Sequence, residues 1–222
     1  MNGKVIVALN KPVGWTSFDV VNKVRRLTGE RKVGHAGTLD PFAEGVLVVG
    51  IGRESTKKLT KYSNLFKTYE ATLHLGTSTD TLDVEGKVTK EKPVPHLDKS
   101  KVLVLLSQFL GKIQQVPPMY SAKKLNGQKL YELARKDVTV DREAVTVKID
   151  EIELLSLIRH CIKFRVKCSK GTYVRQLGAD MAEKLGTVGH LTALKRIAVG
   201  GLMLKDCVGF SEIEEKWMST VV

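Results

Sequence analysis

The sequence predicts a mixed α+β fold with one sheet and several separate helices. Two observations support this class: segments of strictly alternating apolar and polar residues indicate strands, and helix-periodic segments between them carry capping residues. The chain has 222 residues, 42% of them hydrophobic, which is enough for one substantial core. No repeat, low-complexity tract or linker interrupts the pattern. We therefore expect a single domain spanning residues 1–222.

The chain begins with a predicted strand and a predicted helix. Residues 5–9 form a β-branched run, and Pro12 stops the ladder because proline lacks the amide donor. Thr16 and Asp19 have the spacing of a capping box, and Gly29 follows a run of apolar residues at helical intervals. A helix between Thr16 and Gly29 is the expected result.

The remaining elements follow from the same signals. Residues 32–45 break both periodicities and contain three glycines and a proline, which predicts a loop. The other predicted elements are strands at 46–51, 69–75, 145–155 and 162–168, and helices at 54–62, from Asp98 to Gly111, at 173–185 and at 210–217.

Charge and cysteine content restrict the function classes. The formal net charge of +12 and a pI of about 9.6 are typical of a protein that binds a polyanion, and the alternative is a soluble basic protein. No run of about 20 apolar residues is present, and the amino-terminal segment is too short for a signal peptide, so we expect a cytoplasmic protein without a membrane partner. The three cysteines lack CxxC spacing, which indicates neither a disulfide framework nor a thiolate metal site.

A very basic segment at 119–142 is predicted to be an inserted helical arm, and we call it the basic insertion. Pro117-Pro118 and Asn126-Gly127 give the backbone places to turn. Only a narrow apolar stripe anchors the arm, formed by Leu130, Leu133 and Ala134. Its cations are expected to contact phosphates, and the alternative is an ordinary solvated face. They include Lys123, Lys124, Lys129, Arg135 and Lys136.

The loop at 32–45 holds a histidine and a carboxylate among glycines. An aspartate before proline, as at Asp40, is often no more than a turn former. The surrounding residues, HAGTLDPFAEGVL at 35–47, closely resemble the catalytic-aspartate motif of the TruB family of tRNA pseudouridine-55 synthases. Five further segments resemble family motifs in the same order: NKPVGWTS at 10–17, KTYEATLHLG at 67–76, TSTDTLDVEG at 77–86, VPPMYSAKKLNGQKLYELAR at 116–135 and CSKGTYVRQLGADMAEKLG at 168–186.

The resemblance implies the pseudouridine-synthase fold, with a central, mostly antiparallel sheet, and an active site. Asp40 matches the catalytic carboxylate, which can act as a nucleophile on C1′ or as a base on the C2′ proton. Arg175 matches its ion-pair partner, although a phosphate contact is the alternative. Tyr69 matches the tyrosine that packs on the target base, and Tyr173 and Leu194 match pocket walls. Ordinary core packing is the alternative for Tyr69 and Leu194.

The resemblance also implies how RNA is bound. His35 matches a histidine that inserts into RNA near a flipped nucleotide, and the alternative is a solvated side chain or a cap. Asp80 and Thr79 resemble residues that hold extruded bases, whereas a tight turn explains TDTLD equally well. The implied substrate is uridine 55 in the T stem-loop of tRNA, and the implied enzyme is a monomer that uses no metal or cofactor.

One departure from the family pattern concerns the carboxyl end. Family members usually continue into a small RNA-binding domain, whereas this chain ends at Val222. We therefore expect an isolated T stem-loop to be modified almost as well as whole tRNA. Two other function classes remain open at this point: an RNA-binding module without catalysis, and a hydrolytic ribonucleosidase.

Overall fold

The computed structural model describes residues 5–125, 127–136 and 138–221. The strands are β1 (Val5–Lys11), β2 (Val33–His35), β3 (Glu44–Ile51), β4 (Lys67–Leu75), β5 (Thr77–Thr79), β6 (Val88–Glu91), β7 (Gly111–Gln115), β8 (Lys124–Leu125), β9 (Gln128–Lys129), β10 (Val145–Ile158), β11 (Cys161–Cys168), β12 (Gly189–Val199) and β13 (Leu202–Met203). The helices are α1 (Ser17–Thr28), α2 (Arg53–Ser63), α3 (Lys99–Ser107), α4 (Leu130–Ala134), α5 (Val174–Lys184) and α6 (Phe210–Val221), with a 3₁₀ turn at Leu204–Asp206.

Nine of the strands in these ranges belong to one mixed, mostly antiparallel sheet, and β5–β6 and β8–β9 form two separate ribbons. The predicted α+β class is confirmed.

The chain divides into two compact units, one made of the described residues of Met1–Glu70 and Leu194–Val222, the other of the described residues of Ala71–Ala193. None of the helices in the described part of the chain has the length and apolar character needed to cross a bilayer.

In the first unit, β1 lies at the end of the sheet order, beside β3. They pair antiparallel along their whole length, and β12 joins β3 in parallel through Arg196 and Gly45. Successive side chains of a strand point to opposite faces, so neighbouring residues of β1 serve different clusters. Leu9 packs with the valines of α1 on one face, and Ala8 packs with Leu59 of α2 on the other.

In the second unit, the long strand β10 pairs antiparallel with both β11 and β7. The predicted alternation along β11 is confirmed, because its buried side chains are Ile162, Phe164, Val166 and Cys168. Helix α5 places Leu177 and Met181 in the core of this unit.

The predicted capping of α1 is confirmed in atomic detail. The Thr16 hydroxyl accepts a hydrogen bond from the Asp19 amide (3.1 Å), and the Asp19 carboxylate accepts one from the Thr16 amide (2.8 Å). Gly29 ends the helix with a φ of 66°, a left-handed conformation that glycine adopts without strain.

Three predictions of local structure are corrected. The loop predicted at 32–45 contains the short strand β2, which pairs with β3. Helix α3 ends at Ser107, and Gly111 starts β7 instead of ending a helix. The basic insertion, predicted to be a helical arm, contains the short hairpin β8–β9, and its helix is limited to α4.

Two of the three residues of the predicted apolar stripe are buried, and a backbone hydrogen bond links two parts of the insertion. Leu130 and Ala134 are buried, and the Tyr131 amide donates to the Ser121 carbonyl. Gly127 has a φ of +85°, which suits a tight turn, while Asn126 lies outside the described residues.

Candidate active site

The Asp40 turn, residues 36–43, connects β2 to β3 in the first unit. The Ala43 amide donates to the Asp40 carbonyl (3.1 Å), which closes a tight turn at the aspartate. Leu39 and Phe42 are buried, whereas Asp40 itself is half-buried. The apolar side chains anchor the turn in the core, so the Asp40 carboxylate is presented from a fixed backbone.

Residues of the β1–α1 connection hold the Asp40 turn from one side. The Ser17 hydroxyl accepts a hydrogen bond from the Leu39 amide (2.8 Å) and donates to the Leu39 carbonyl (3.1 Å). The Pro41 carbonyl accepts hydrogen bonds from the Gly14 amide (2.8 Å) and from the ammonium group of fully buried Lys11 (3.3 Å). The backbone is therefore fixed immediately before and after Asp40.

Arg196 of β12 holds the same turn from another side, and its side chain is only 1% exposed. Its Nε donates to the Val46 carbonyl (2.7 Å), and its Nη2 and Nη1 donate to the carbonyls of Gly37 (3.1 Å) and Thr38 (3.4 Å). A Cβ added at Gly45 would lie 2.2 Å from the Arg196 carbonyl oxygen, so the pairing of β3 with β12 at this residue requires glycine.

Three other predicted site residues belong to the same unit as Asp40. Tyr69 is half-buried near the start of β4, and Leu194 is buried in β12. His35 ends β2. Burial lowers the pKa of its imidazole and the charge of Arg196 lowers it further, while a hydrogen bond with the Gly37 backbone acts in the opposite direction. The net effect favours a neutral imidazole at neutral pH.

Arg175 lies at the start of α5 in the second unit, and its side chain is almost fully buried. It forms an ion pair with the buried Asp83 carboxylate (3.5 Å). Its guanidinium also donates to the carbonyls of Thr81 (2.5 Å) and Tyr120 (2.8 Å). Arg175 therefore ties the acidic loop at 77–86 to the first residues of the basic insertion. Its predicted pairing with Asp40 stays a prediction.

Thr79 and Asp80 lie in that acidic loop in different environments. Thr79 is buried, and its hydroxyl donates to the Asp83 carbonyl (2.7 Å). Asp80 is exposed, and its carboxylate accepts hydrogen bonds from the Lys87 amide (2.8 Å) and the Tyr120 hydroxyl (3.4 Å). Of the two, Asp80 is the residue exposed to solvent.

Tyr173 is half-buried and forms the N-cap position of α5. Gln115 at the end of β7 fixes its backbone, because the Gln115 amide group accepts from the Tyr173 amide (2.8 Å) and donates to its carbonyl (3.2 Å). The aromatic ring is thus held at the boundary between the core and the surface.

The cations of the basic insertion include an ordered cluster around Tyr131. Lys129 and Arg135 lie 5.3 and 5.5 Å from the centre of its ring. The pKa of Lys129 is raised, mainly by its hydrogen bond to the Tyr131 hydroxyl. Lys124, Arg135 and Lys136 are exposed, and Lys123 and Lys129 are half-buried.

Several residues that organise the site were not predicted. Lys11 belongs to the NKP segment, where a lysine at a strand end is normally solvated. Asp83 lies within TDTLD, yet only Asp80 and Thr79 were predicted there. No sequence signal distinguishes Arg196 from the adjacent Lys195, which forms an ordinary half-exposed ion pair with Glu44.

Comparison with known proteins identifies the family. Residues 25–174 match the model described as "TruB family pseudouridylate synthase (N terminal domain)". The tRNA pseudouridine synthase B of Lactococcus lactis is 45% identical over 96% of this chain, which spans 67% of that protein's length. The same enzyme of Parabacteroides distasonis is 43% identical over 98% of this chain and 94% of its own length.

Solved structures agree with this assignment. A chain in the crystal structure of a Cbf5-Nop10-Gar1 complex is 28% identical, with a TM-score of 0.69 over 89% of this chain. This chain spans about half (49%) of that neighbour. A second neighbour, from an H/ACA RNP bound to a substrate RNA containing 2′-deoxyuridine, is 23% identical with a TM-score of 0.69, which supports the fold alone. From the family match and the extent of identity, the chain belongs to the TruB family of pseudouridylate synthases.

Proposed function

We propose that this chain converts a uridine of tRNA to pseudouridine, with Asp40 as the catalytic carboxylate. The observation that carries the proposal is the Asp40 turn, whose backbone is bonded to Ser17, Lys11 and Arg196 while Asp40 itself is half-buried. Family membership and the names of the curated relatives support the substrate and the reaction.

The reaction requires no net oxidation or addition of atoms. The bond between C1′ and N1 breaks, the detached uracil turns, and a new bond forms between C1′ and C5. The proton on C5 leaves to solvent while N1 gains a proton, so the overall change is an isomerisation. Asp40 can begin it as a nucleophile at C1′ or as a base towards the C2′ proton, and both routes need a fixed carboxylate.

We assign the remaining site residues by their environments and by the resemblance. Tyr69 and Tyr173 are half-buried aromatic side chains that suit contact with a flipped uracil, and Leu194 adds an apolar wall. Arg175 is assigned to orient Asp40, in addition to its contacts with the acidic loop. His35 and Asp80 are assigned to RNA contacts, and Thr79 to shaping the loop that presents Asp80.

The target within tRNA is proposed to be uridine 55 of the T stem-loop. The exposed lysines and arginines of the basic insertion are proposed to bind its phosphates, which contributes affinity without reading sequence.

The direct test uses RNA carrying uridine tritiated at C5. Incubation with the purified chain should release tritium to water without releasing free uracil. Binding without catalysis would release neither, and a hydrolytic ribonucleosidase would release free uracil while the tritium stays on the base. Either of these results contradicts the proposal.

The target position is tested separately with unlabelled tRNA transcripts. Pseudouridine should appear at position 55, and a transcript with cytidine at this position should remain unmodified. Pseudouridine at other positions of both transcripts would show that the site does not select the T loop.

A further inference from the structure

Phe18, at the start of α1, is unusual among the aromatic side chains of this protein. It is 57% exposed, whereas all other phenylalanine, tyrosine and tryptophan side chains in the described ranges are buried or half-buried. Val13, in the same segment, is 60% exposed. Single exposed apolar residues are common on protein surfaces, so the exposure alone indicates no function.

Both side chains lie on the segment that is bonded to the Asp40 turn. The Gly14 amide, next to Val13, donates to the Pro41 carbonyl (2.8 Å). Ser17, next to Phe18, exchanges two hydrogen bonds with the backbone of Leu39. The exposed pair is therefore fixed beside the residues that flank Asp40.

The Phe18 ring is already held on one face. The Arg25 guanidinium lies over it, 5.4 Å from the ring centre. Arg25 is fixed in turn by donating to the carbonyl of Val33 in β2 (3.2 Å) and to the side chain of Asn22 (3.2 Å). Arg25 therefore connects Phe18 to strand β2, which ends at His35, another residue assigned to RNA.

The surface beside Phe18 carries positive charge. An open cavity of about 450 Å³ is lined by Gly14, Trp15, Asp19, Lys23 and Arg26. The one carboxylate of this lining, Asp19, already accepts hydrogen bonds from the amide and hydroxyl of Thr16. Lys23 and Arg26 are the lining groups suited to phosphate oxygens.

We propose that Phe18, supported by Val13, stacks on an unpaired base of the substrate RNA beside the target uridine, while Lys23 and Arg26 contact the adjoining phosphates. This inference rests on the proposed function, because the RNA is the substrate bound at Asp40. Stacking on an aromatic face tolerates any base, so this contact contributes affinity and not sequence selection. Arg25 restrains the ring before RNA binds, which reduces the entropy lost on stacking.

The first experiment compares exposed apolar residues at two places. Phe18→Ala should raise the Kd for a T stem-loop RNA about tenfold, and Phe18→Trp should keep it within about threefold of wild type. Ile158→Ala is the matched control, because Ile158 is 66% exposed at the end of β10 and lies outside the proposed surface. It should leave the Kd unchanged. Equal Kd values for wild type and Phe18→Ala would overturn the inference.

The second experiment places a photoreactive benzoylphenylalanine at position 18 or 158 of the full chain. Irradiation with bound RNA should crosslink position 18 to a nucleotide next to the target uridine and leave position 158 unlinked. Crosslinking at neither position, or equally at both, would contradict a stacked base at Phe18.

If wild type binds the RNA and releases tritium but the expected binding and crosslinking results are not obtained, the inference alone fails. If wild type releases no tritium, the proposed function fails, and this inference with it.

Discussion

Two buried cations determine how Asp40 is held. A charge is buried at low cost only when its donors find acceptors, and here the acceptors are backbone carbonyls on both sides of the aspartate. Lys11 bonds to the carbonyl of Pro41, and Arg196 bonds to those of Gly37 and Thr38. Loss of Arg196 would remove its hydrogen bonds to the Gly37 and Thr38 carbonyls, whereas loss of Lys11 would leave the Pro41 carbonyl with the Gly14 amide as a donor.

Arg196→Lys is expected to separate positioning from binding. Lysine keeps the charge, but its single ammonium group cannot reach all three carbonyls in the planar geometry of a guanidinium. We expect kcat to fall about tenfold to hundredfold while the Kd for RNA changes less than about threefold. The free energy of unfolding should fall by about 1–3 kcal/mol.

The control for this change is the adjacent Lys195→Ala, which removes only a half-exposed ion pair with Glu44. It should lower the free energy of unfolding by less than about 1 kcal/mol and leave kcat near wild type. An unchanged kcat in Arg196→Lys would remove the positioning role of Arg196.

At the residue scale, the motif around Asp40 could be predicted, but the groups that hold it could not. A local pattern identifies a carboxylate in a turn, because turn chemistry involves neighbouring residues. Arg196 reaches the turn only because β12 pairs with β3 there, and this pairing of strands distant in sequence leaves no local signal. A buried arginine also opposes the rule that charged residues face solvent.

At the scale of elements, the parallel pairing of β3 with β12 depends on Gly45. Alanine there would have its Cβ 2.2 Å from the Arg196 carbonyl oxygen, at a φ of +110° that disfavours side chains. We expect Gly45→Ala to lower the free energy of unfolding by about 3 kcal/mol or more, measured by urea denaturation.

Gly201→Ala is the matched glycine control, because a Cβ at Gly201 meets nothing within 4 Å. Its free energy of unfolding should stay within about 0.5 kcal/mol of wild type. Similar stability of the two variants would show that the β3–β12 pair tolerates a side chain at position 45.

The capping box of α1 should give the protein a measurable pH dependence. Hydrogen bonds from Thr16 lower the pKa of Asp19 below its usual 3.8. A lowered carboxyl pKa means that the stabilising contribution is complete above the unfolded-state pKa and is lost as pH falls through the folded-state pKa. The stability difference between wild type and Asp19→Asn should therefore be constant near neutral pH and shrink below about pH 4. A stability difference that grows as the pH falls would contradict a lowered pKa of Asp19 in the folded state.

Elements with local signals were predicted best. Thr16, Asp19 and Gly29 mark the two ends of α1 by their own chemistry, and both ends are confirmed. Strand β12 was not predicted, because Lys195 and Arg196 interrupt its apolar pattern and its partners are distant in sequence. The hairpin in the basic insertion was interpreted as helix for a similar reason, since its strands are two residues each and show no periodicity.

At the scale of the whole molecule, the net charge of +12 predicts RNA binding that weakens with salt. If Lys124 of the basic insertion contacts a phosphate, Lys124→Ala should reduce the slope of log K against log salt by roughly 0.7–0.9. Lys99→Ala removes another exposed lysine, at the start of α3, and should change the slope less. Equal slopes for the two variants would place Lys124 outside the RNA contact.

The central claim is that the Asp40 carboxylate carries out the isomerisation. The most direct measurement compares tritium release from C5-labelled tRNA by wild type, Asp40→Asn and Glu44→Gln, where Glu44 is a half-exposed carboxylate just beyond the same turn. Wild type and Glu44→Gln should release tritium at similar rates. Asp40→Asn should release none while it stays folded and binds RNA within about tenfold of wild type, or ~1.4 kcal/mol. Tritium release by a folded Asp40→Asn protein, free of wild-type contamination, would contradict the claim.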